Sequence, residues 1–196
     1  MARRTFLLDK SGSMDSILDD TIGGFNSFVR TQVHLGGTLS LYTFSDECTC
    51  EYKDKPIEEV PMLTRETYVP GGSTALYDSM GHILSEKPSI TGTFVVLTDG
   101  QENMSKKYTK AHVKDLIEFS SKKDLVVMYV GVDIEDAVEM GIENTLHFDT
   151  MRTPDIFRSV SESVSSNVLR QTKSQPSGTV CSTKATGSKI RLNTSP

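Results

Sequence analysis

A chain of 196 residues is long enough for one domain with a hydrophobic core of its own. Its net charge of −5 argues against a nucleic-acid-binding face, which needs clustered lysine and arginine to neutralise phosphates. Its longest apolar runs are far shorter than the roughly 20 residues of a membrane-spanning helix, so we expect no membrane association.

The first half of the chain alternates between strand-like and helical patterns. A short apolar run at 5–8 predicts a strand, the pattern at 17–33 a helix, and the run at 39–44 a second strand. The alternating segment 48–52 follows so closely that we expect it to pair with 39–44 as a hairpin, giving one short antiparallel edge strand. The pattern at 75–85 predicts another helix.

The same alternation continues in the second half. The runs 94–98 and 126–131 predict buried strands, and the segment 110–120 between them predicts a helix. We expect three further elements, namely a short helix at 133–140, a short strand at 145–148 and an amphipathic helix at 154–169. Strands that alternate with helices indicate a doubly wound, three-layer, Rossmann-like α/β fold, with a mostly parallel central sheet and helices on both faces.

The composition of the chain changes near residue 170. The segment 171–196 is rich in Ser, Thr, Lys, Gly and Pro, and no acidic residue occurs after Glu162. Such a segment cannot bury enough apolar surface to offset the entropy lost on ordering. We therefore expect one domain at 1–170 and a disordered or extended basic tail at 171–196.

The amino terminus and the cysteines favour a cytoplasmic location. Arg3 and Arg4 lead directly into the first predicted strand, without the apolar stretch and cleavage site of a secretory leader. The three cysteines, Cys48, Cys50 and Cys181, are odd in number and do not suggest a disulfide framework. A reducing compartment fits this pattern better than an oxidising one.

Oxygen-bearing side chains follow two of the predicted strands. The first strand is followed by Asp9-Lys10-Ser11-Gly12-Ser13, and the strand at 94–98 is followed by Asp99-Gly100. Ligands of doubly wound sheets lie beyond the carboxyl ends of the strands, where strand order reverses, so we expect these carboxylates to converge on one crevice. Between them in sequence, Gly71-Gly72-Ser73-Thr74 forms a loop before a helix and supplies a further hydroxyl.

These residue types suit a hard divalent cation. Hydroxyls combined with only two carboxylates are the ligands of Mg²⁺ or Mn²⁺, which take six oxygen atoms at about 2.0–2.1 Å and retain water readily. The four histidines lack the spacing of metal ligands, so a zinc site is not expected; they are His34, His82, His112 and His147. The predicted metal ligands are Asp9, Ser11, Ser13, Thr74 and Asp99.

The Asp-x-Ser-x-Ser pattern at 9–13, with Thr74 and Thr98-Asp99-Gly100, resembles the metal-ion-dependent adhesion site (MIDAS) of von Willebrand factor A (VWA) domains and integrin inserted domains. The three elements occur in the order found in the family, and the resemblance covers residues 3 to about 168. It implies that Ser11 and Ser13 bind the ion directly. It also implies that the two carboxylates and Thr74 bind the ion directly or through water.

The resemblance implies a non-enzymatic protein-interaction module. Two carboxylates cancel the charge of the ion and hydroxyls add none, so the ion stays electrophilic enough to bind an outside carboxylate. We expect a protein partner that offers an Asp or Glu, with self-association through another copy as the second option. The candidates for a partner-binding rim are Lys10, Ser73, Glu102 and Asn103. Without a leader, the chain looks like the small free-standing VWA proteins of bacteria and their phages.

Two other functions remain open at this point. An aspartate at a strand end with Mg²⁺ also suggests a haloacid-dehalogenase-like phosphatase, but the second aspartate of that pattern is replaced by Ser11. The stronger alternative is a structural role, in which the ion only holds the loops together and partner binding survives its removal. Asp78, one helical turn beyond Thr74, is either a support for the site or an exposed helix residue.

Overall fold

Strands and helices alternate along the computed structural model, which describes residues 1–86, 89–148 and 153–174. The strands of this part of the chain are β1 Arg3–Asp9, β2 Thr38–Phe44, β3 Cys48–Pro56, β4 Gly92–Leu97, β5 Leu125–Gly131 and β6 Asn144–His147. The α-helices are α1 Leu18–Gln32, α2 Leu76–Ser85, α3 Lys110–Ser121, α4 Ile134–Glu139 and α5 Thr153–Ser174. Each element lies at or close to the position that the apolar pattern predicts.

These strands form one sheet in the order β3-β2-β1-β4-β5-β6. β1 pairs in parallel with both β2 and β4, β5 and β6 continue the parallel pairing, and β3 runs antiparallel to β2. The predicted fold is therefore confirmed: a mostly parallel α/β sheet with one antiparallel edge strand. Strand order reverses between β1 and β4, so the ligand-binding crevice of such a sheet lies beyond Asp9 and Leu97.

The edge strand β3 is longer than the sequence predicts, because pairing continues beyond residue 52 to Pro56. Its register with β2 shifts between Leu39 and Leu41, and Asp54 adopts a positive φ of 48°. Such a bulge inserts an extra residue and breaks the strict alternation of side chains. The charged residues after Tyr52 therefore do not follow the alternating pattern of a strand, although the backbone continues as one to Pro56.

Hydrophobic clusters cover both faces of the sheet. Alternate side chains of a strand point to opposite faces, so Phe6 packs in one cluster and Leu7 in the other. On the first face, the ring of Phe6 contacts the rings of Phe25 and Phe28 of α1, at centroid distances of 5.5 and 4.9 Å. The other face is covered by side chains of α2 and α3. The sheet is thus the rigid middle layer from which the loops of the site project.

Helices α1 and α5 approach each other closely at Gly24. A Cβ atom at position 24 would lie 2.1 Å from a ring carbon of the buried Phe157, whereas a Cβ at Gly23 would meet nothing within 4 Å. We expect Gly24→Ala to lower the free energy of unfolding by about 2 kcal/mol, because overpacking displaces core side chains. Gly23→Ala should instead raise it by up to about 1 kcal/mol through helix propensity. Chemical denaturation measures the free energy of unfolding of both variants. If the two substitutions change it in the same direction, this packing is contradicted.

Helix α5 continues to Ser174, past residue 170, where the sequence predicts the end of the domain. The rest of the predicted tail, 175–196, lies outside the described residues, so the domain boundary stays a prediction. No helix in the described ranges combines the length and the apolar character that crossing a bilayer requires.

Candidate metal centre

Asp9 lies at the end of β1 and is fully buried. Its Oδ1 accepts a hydrogen bond from the backbone N–H of Ser11 at 2.6 Å, and its Oδ2 accepts one from the hydroxyl of Thr98, just after β4. The buried hydroxyl of Tyr68 donates to the main-chain carbonyl of Asp9. The carboxylate is therefore fixed by residues that follow two adjacent strands.

Ser11 and Ser13 place their hydroxyls next to each other, with 3.1 Å between the two Oγ atoms. A short 3-10 helix at Gly12–Ile17 turns the chain directly after Ser11. The hydroxyl of Ser13 donates to Oδ1 of Asp99 at 2.6 Å, which joins the loop after β1 to the loop after β4. Ser11 is buried whereas Ser13 is exposed, so the site opens to solvent on the side of Ser13.

Three loops meet at Gly100. A Cβ atom built there would lie 2.8 Å from Oγ1 of Thr74, 3.5 Å from Oγ of Ser13 and 3.6 Å from Oδ2 of Asp9. One small volume beside the glycine is thus bordered by oxygen atoms from two of the three sequence elements of the predicted site, and Gly100 itself belongs to the third. The structure brings together every predicted ligand: Asp9, Ser11, Ser13, Thr74 and Asp99.

The loop that carries Thr74 is tied to the loop after β1 through the backbone. The N–H of Gly71 donates to the carbonyl of Lys10 at 2.7 Å, and the N–H of Gly12 donates to the carbonyl of Gly72 at 3.1 Å. These reciprocal bonds hold the two loops side by side. They fix the distance between Thr74 and the serine hydroxyls without using any side chain of the site.

Asp46, in the turn between β2 and β3, supports the same loop from the other side. Its Oδ1 accepts the N–H of Ser73 at 2.8 Å. Gly72 has a φ of +84°, and a Cβ there would come within 2.9 Å of Oδ2 of Asp46. Glycine is therefore required at position 72, both for its backbone conformation and for this close approach. Of the predicted rim residues, Ser73 and Lys10 lie half-buried beside the site.

Glu102, the third predicted rim residue, makes hydrogen bonds inside the chain. Its carboxylate accepts the backbone N–H groups of Tyr77 at 2.9 Å, Met104 at 2.8 Å and Ser105 at 2.7 Å, and also the hydroxyl of Ser105. Tyr77 lies in the first turn of α2, where N–H groups lack helical partners. Glu102 therefore links the loop after β4 to the start of α2.

Asn103, the last of the rim residues, contacts Thr74. Its Oδ1 accepts the backbone N–H of Thr74 at 3.0 Å, and its own N–H donates to the carbonyl of Thr74 at 3.1 Å. Both main-chain polar groups of a predicted ligand are thus bound by one residue of the neighbouring loop.

Asp78 supports the remainder of this loop. Its carboxylate accepts the backbone N–H groups of Lys106, Lys107 and Tyr108 at 2.9, 2.8 and 2.7 Å. Partial burial acts to raise the pKa of Asp78, but these three hydrogen bonds lower it below the usual value. Asp78 is thus a half-buried anchor for the loop rather than an unengaged helix residue.

Two carboxyl groups of the site, Asp9 and Asp99, interact electrostatically. Burial raises the pKa of Asp9, and the negative charge of Asp99 adds to this increase; burial also raises the pKa of Asp99. In the described ranges neither group forms a salt bridge with Lys or Arg. A bound cation would remove the electrostatic cost of keeping both groups ionised.

Comparison with known proteins decides the fold. No family model matches the sequence, and no curated protein does. Solved structures do match the chain. One is proximal thread matrix protein 1 from the mussel byssus, in a structure with a zinc-occupied MIDAS motif. It is 20% identical over 82% of this chain and 45% of its own, with a TM-score of 0.57. The von Willebrand factor type A structure from Catenulispora acidiphila is 14% identical over 83% of this chain and 42% of its own, with a TM-score of 0.53.

A third match is the manganese-loaded TRAP protein of Plasmodium vivax, which is 13% identical over 76% of this chain and 70% of its own, with a TM-score of 0.55. The chain has the von Willebrand factor A fold. It spans less than half the length of the mussel and Catenulispora proteins. Sequence identities this low establish the VWA fold alone.

The donor set of this VWA fold fits a hard divalent cation. No three His, Cys, Asp or Glu side chains among the described residues are arranged to hold a metal ion. The predicted ligands are instead two carboxylates and three hydroxyls: oxygen atoms of Asp9, Ser13 and Thr74 lie beside Gly100, and the side chains of Ser11 and Asp99 contact the hydroxyl of Ser13. Small hard cations such as Mg²⁺ accept these donors and fill the other positions with water.

Proposed function

We propose that the chain is a protein-interaction module that binds a carboxylate of its partner through a divalent cation. The proposed ligands are Asp9, Ser11, Ser13, Thr74 and Asp99. The observation that carries the proposal is the convergence of three loops on the space beside Gly100, which a single Cβ atom would fill. Its donors are those that Mg²⁺ prefers, with Mn²⁺ as the alternative.

The exposure of the ligands indicates how the partner approaches. Asp9 is buried and Ser13 is exposed, so an ion held between them has a protein side and a solvent side. When bound, the ion supplies a coordination position for an acidic side chain from outside. Lys10 and Ser73 lie at the edge of the opening and are the proposed rim contacts. A second copy of the chain that offers an Asp or Glu would satisfy the same chemistry.

An enzymatic role has less support from the same residues. Phosphoryl transfer by an aspartate at position 9 would need an acid or base two residues later, and that residue is Ser11. The hydroxyl of Ser11 contacts Ser13, which in turn donates to a carboxylate. These contacts provide no histidine base for either serine, and they suit coordination of an ion better than activation of a nucleophile.

A purely structural ion also has less support. The loops of the site are already joined by direct hydrogen bonds, between Ser13 and Asp99, between Gly71 and Lys10, and from Asn103 to the loop before α2. An ion is therefore not needed to hold them together. We accordingly propose that its role is recognition of the partner. The cytoplasmic location and the bacterial or phage origin stay predictions.

The test is an affinity pull-down from the native cell, performed in Mg²⁺ and in EDTA, with the captured proteins identified by mass spectrometry. We expect a partner captured by the wild type in Mg²⁺ to be reduced at least about tenfold by EDTA and by Ser13→Ala, since even outer-sphere changes cost about 10–100-fold in metal affinity. Ser27→Ala is the control, because Ser27 is an exposed serine in the middle of α1. Capture of the same proteins under every condition contradicts metal-dependent recognition.

A further inference from the structure

Thr74 is a predicted ligand whose position no regular secondary structure determines. It follows Gly71-Gly72-Ser73 and precedes the first residue of α2 by two positions. Gly72 has a positive φ, and the residues before Thr74 lie in neither a helix nor a strand. The direction of the Thr74 hydroxyl must therefore be set by contacts with other parts of the fold.

Asn103 supplies these contacts from the loop after β4. Its side chain accepts the N–H of Thr74, and its main chain donates to the carbonyl of Thr74. Two hydrogen bonds from one residue restrain both peptide groups that flank the Thr74 side chain. The neighbouring Glu102 binds the N–H of Tyr77, so the first turn of α2 is held by the same loop.

We propose that Asn103 is a positioning residue for the metal ligand Thr74. The inference rests on the proposed metal site, and it gives Asn103 a role different from the partner contact expected from sequence. Asn103 acts on the ion through Thr74, because its side-chain oxygen is engaged with the Thr74 backbone. Its loss should therefore weaken metal binding without abolishing it.

The experiment is calorimetric titration of the full chain with Mn²⁺ alone, so no partner is required. We expect Asn103→Ala to weaken Mn²⁺ binding about fivefold, since a hydrogen bond of this kind contributes about 1 kcal/mol. Asn103→Asp keeps an oxygen acceptor for the Thr74 N–H and should bind Mn²⁺ at least as tightly as the wild type. Asn144→Ala is the control, because the Asn144 side chain also hydrogen-bonds to the backbone, donating to the carbonyl of Val127, but lies in β6.

A double-mutant cycle with Thr74→Val separates positioning from a general loss of structure. If Asn103 acts through the Thr74 hydroxyl, Asn103→Ala weakens Mn²⁺ binding in the wild type and has no further effect once that hydroxyl is absent. An equal loss in both backgrounds overturns the inference, and so does unchanged Mn²⁺ affinity in Asn103→Ala.

Failure of a variant to fold and failure of the wild type to bind metal can each be interpreted. If Asn103→Ala does not fold, Asn103→Asp decides the question, and weaker Mn²⁺ binding by this variant overturns the inference. A wild-type protein that binds neither Mn²⁺ nor Mg²⁺ overturns the proposed metal site itself, and the role of Asn103 with it. A wild type that binds Mn²⁺ while Asn103→Ala binds equally well leaves the metal site standing and refutes only the positioning role.

Discussion

Asp9→Ala is expected to abolish binding of Mg²⁺ and Mn²⁺ while the fold is retained. Asp9 is fully buried, and burial together with the nearby charge of Asp99 raises its pKa. In the metal-free protein, keeping Asp9 ionised therefore costs free energy, and the substitution removes this cost. The substitution also removes one of the two charges that attract the cation, so metal affinity should fall by at least about 100-fold, equivalent to roughly 2.7 kcal/mol.

Thermal unfolding with and without saturating Mg²⁺ provides the second measurement. A ligand that binds only the folded state stabilises it by about 2.7 kcal/mol at a concentration of 100 times its Kd, so the Tm of the wild type should rise in Mg²⁺. The Tm of Asp9→Ala should not respond. Asp15→Ala is the matched control, because Asp15 is an exposed acidic residue of the adjacent 3-10 helix. Wild-type Mg²⁺ affinity in Asp9→Ala would place the ion elsewhere.

The fold follows from the sequence because its strands are short apolar runs bounded by polar turn residues. β1 and β4 show this pattern most clearly, since their central residues are all buried and a carboxylate lies at or just beyond each carboxyl end. In a mostly parallel sheet the carboxyl ends of neighbouring strands share one edge, which is why Asp9 and Asp99 were expected to converge. The structure adds that β1 and β4 are direct neighbours.

The supports of the site are much harder to predict from sequence. Tyr68 belongs to a segment between β3 and α2 that has no helical or strand period, yet its hydroxyl reaches the carbonyl of Asp9. Asp46 looks like an ordinary turn residue and binds the loop before Thr74. These contacts depend on how loops pack against one another, and no spacing rule in one sequence encodes that packing.

The direction of a side chain in a loop is equally hidden. Glu102 and Asn103 follow Asp99 closely in sequence, so proximity to the site can be predicted and a rim position is the natural expectation. The backbone after β4 instead directs both polar groups towards α2 and Thr74. A polar residue near a ligand can thus contact a partner or support the ligand, and only the three-dimensional geometry distinguishes the two roles.

Gly100→Ala is expected to prevent metal binding without removing any ligand. Its φ is not in the left-handed region, so the backbone accepts alanine there. The new Cβ would however lie 2.8 Å from Oγ1 of Thr74, closer than a carbon and a hydroxyl oxygen can approach without movement. The Thr74 hydroxyl must rotate or its loop must shift, and either change moves the oxygen away from its present position beside Ser13 and Asp9. We expect Mn²⁺ affinity to fall by at least about 100-fold, or roughly 2.7 kcal/mol.

Gly71→Ala is the control for this substitution, because Gly71 lies in the adjoining loop and a Cβ there would meet nothing within 4 Å. It should bind Mn²⁺ as the wild type does. Calorimetry with Mn²⁺ and metal-free thermal unfolding together separate loss of the site from loss of the fold, since the methyl group perturbs one hydroxyl and no core residue. If Gly100→Ala binds Mn²⁺ normally, the ion does not lie between Thr74, Ser13 and Asp9. If it does not bind while Gly71→Ala does, the ion lies in that space, because every ligand atom is still present in the variant.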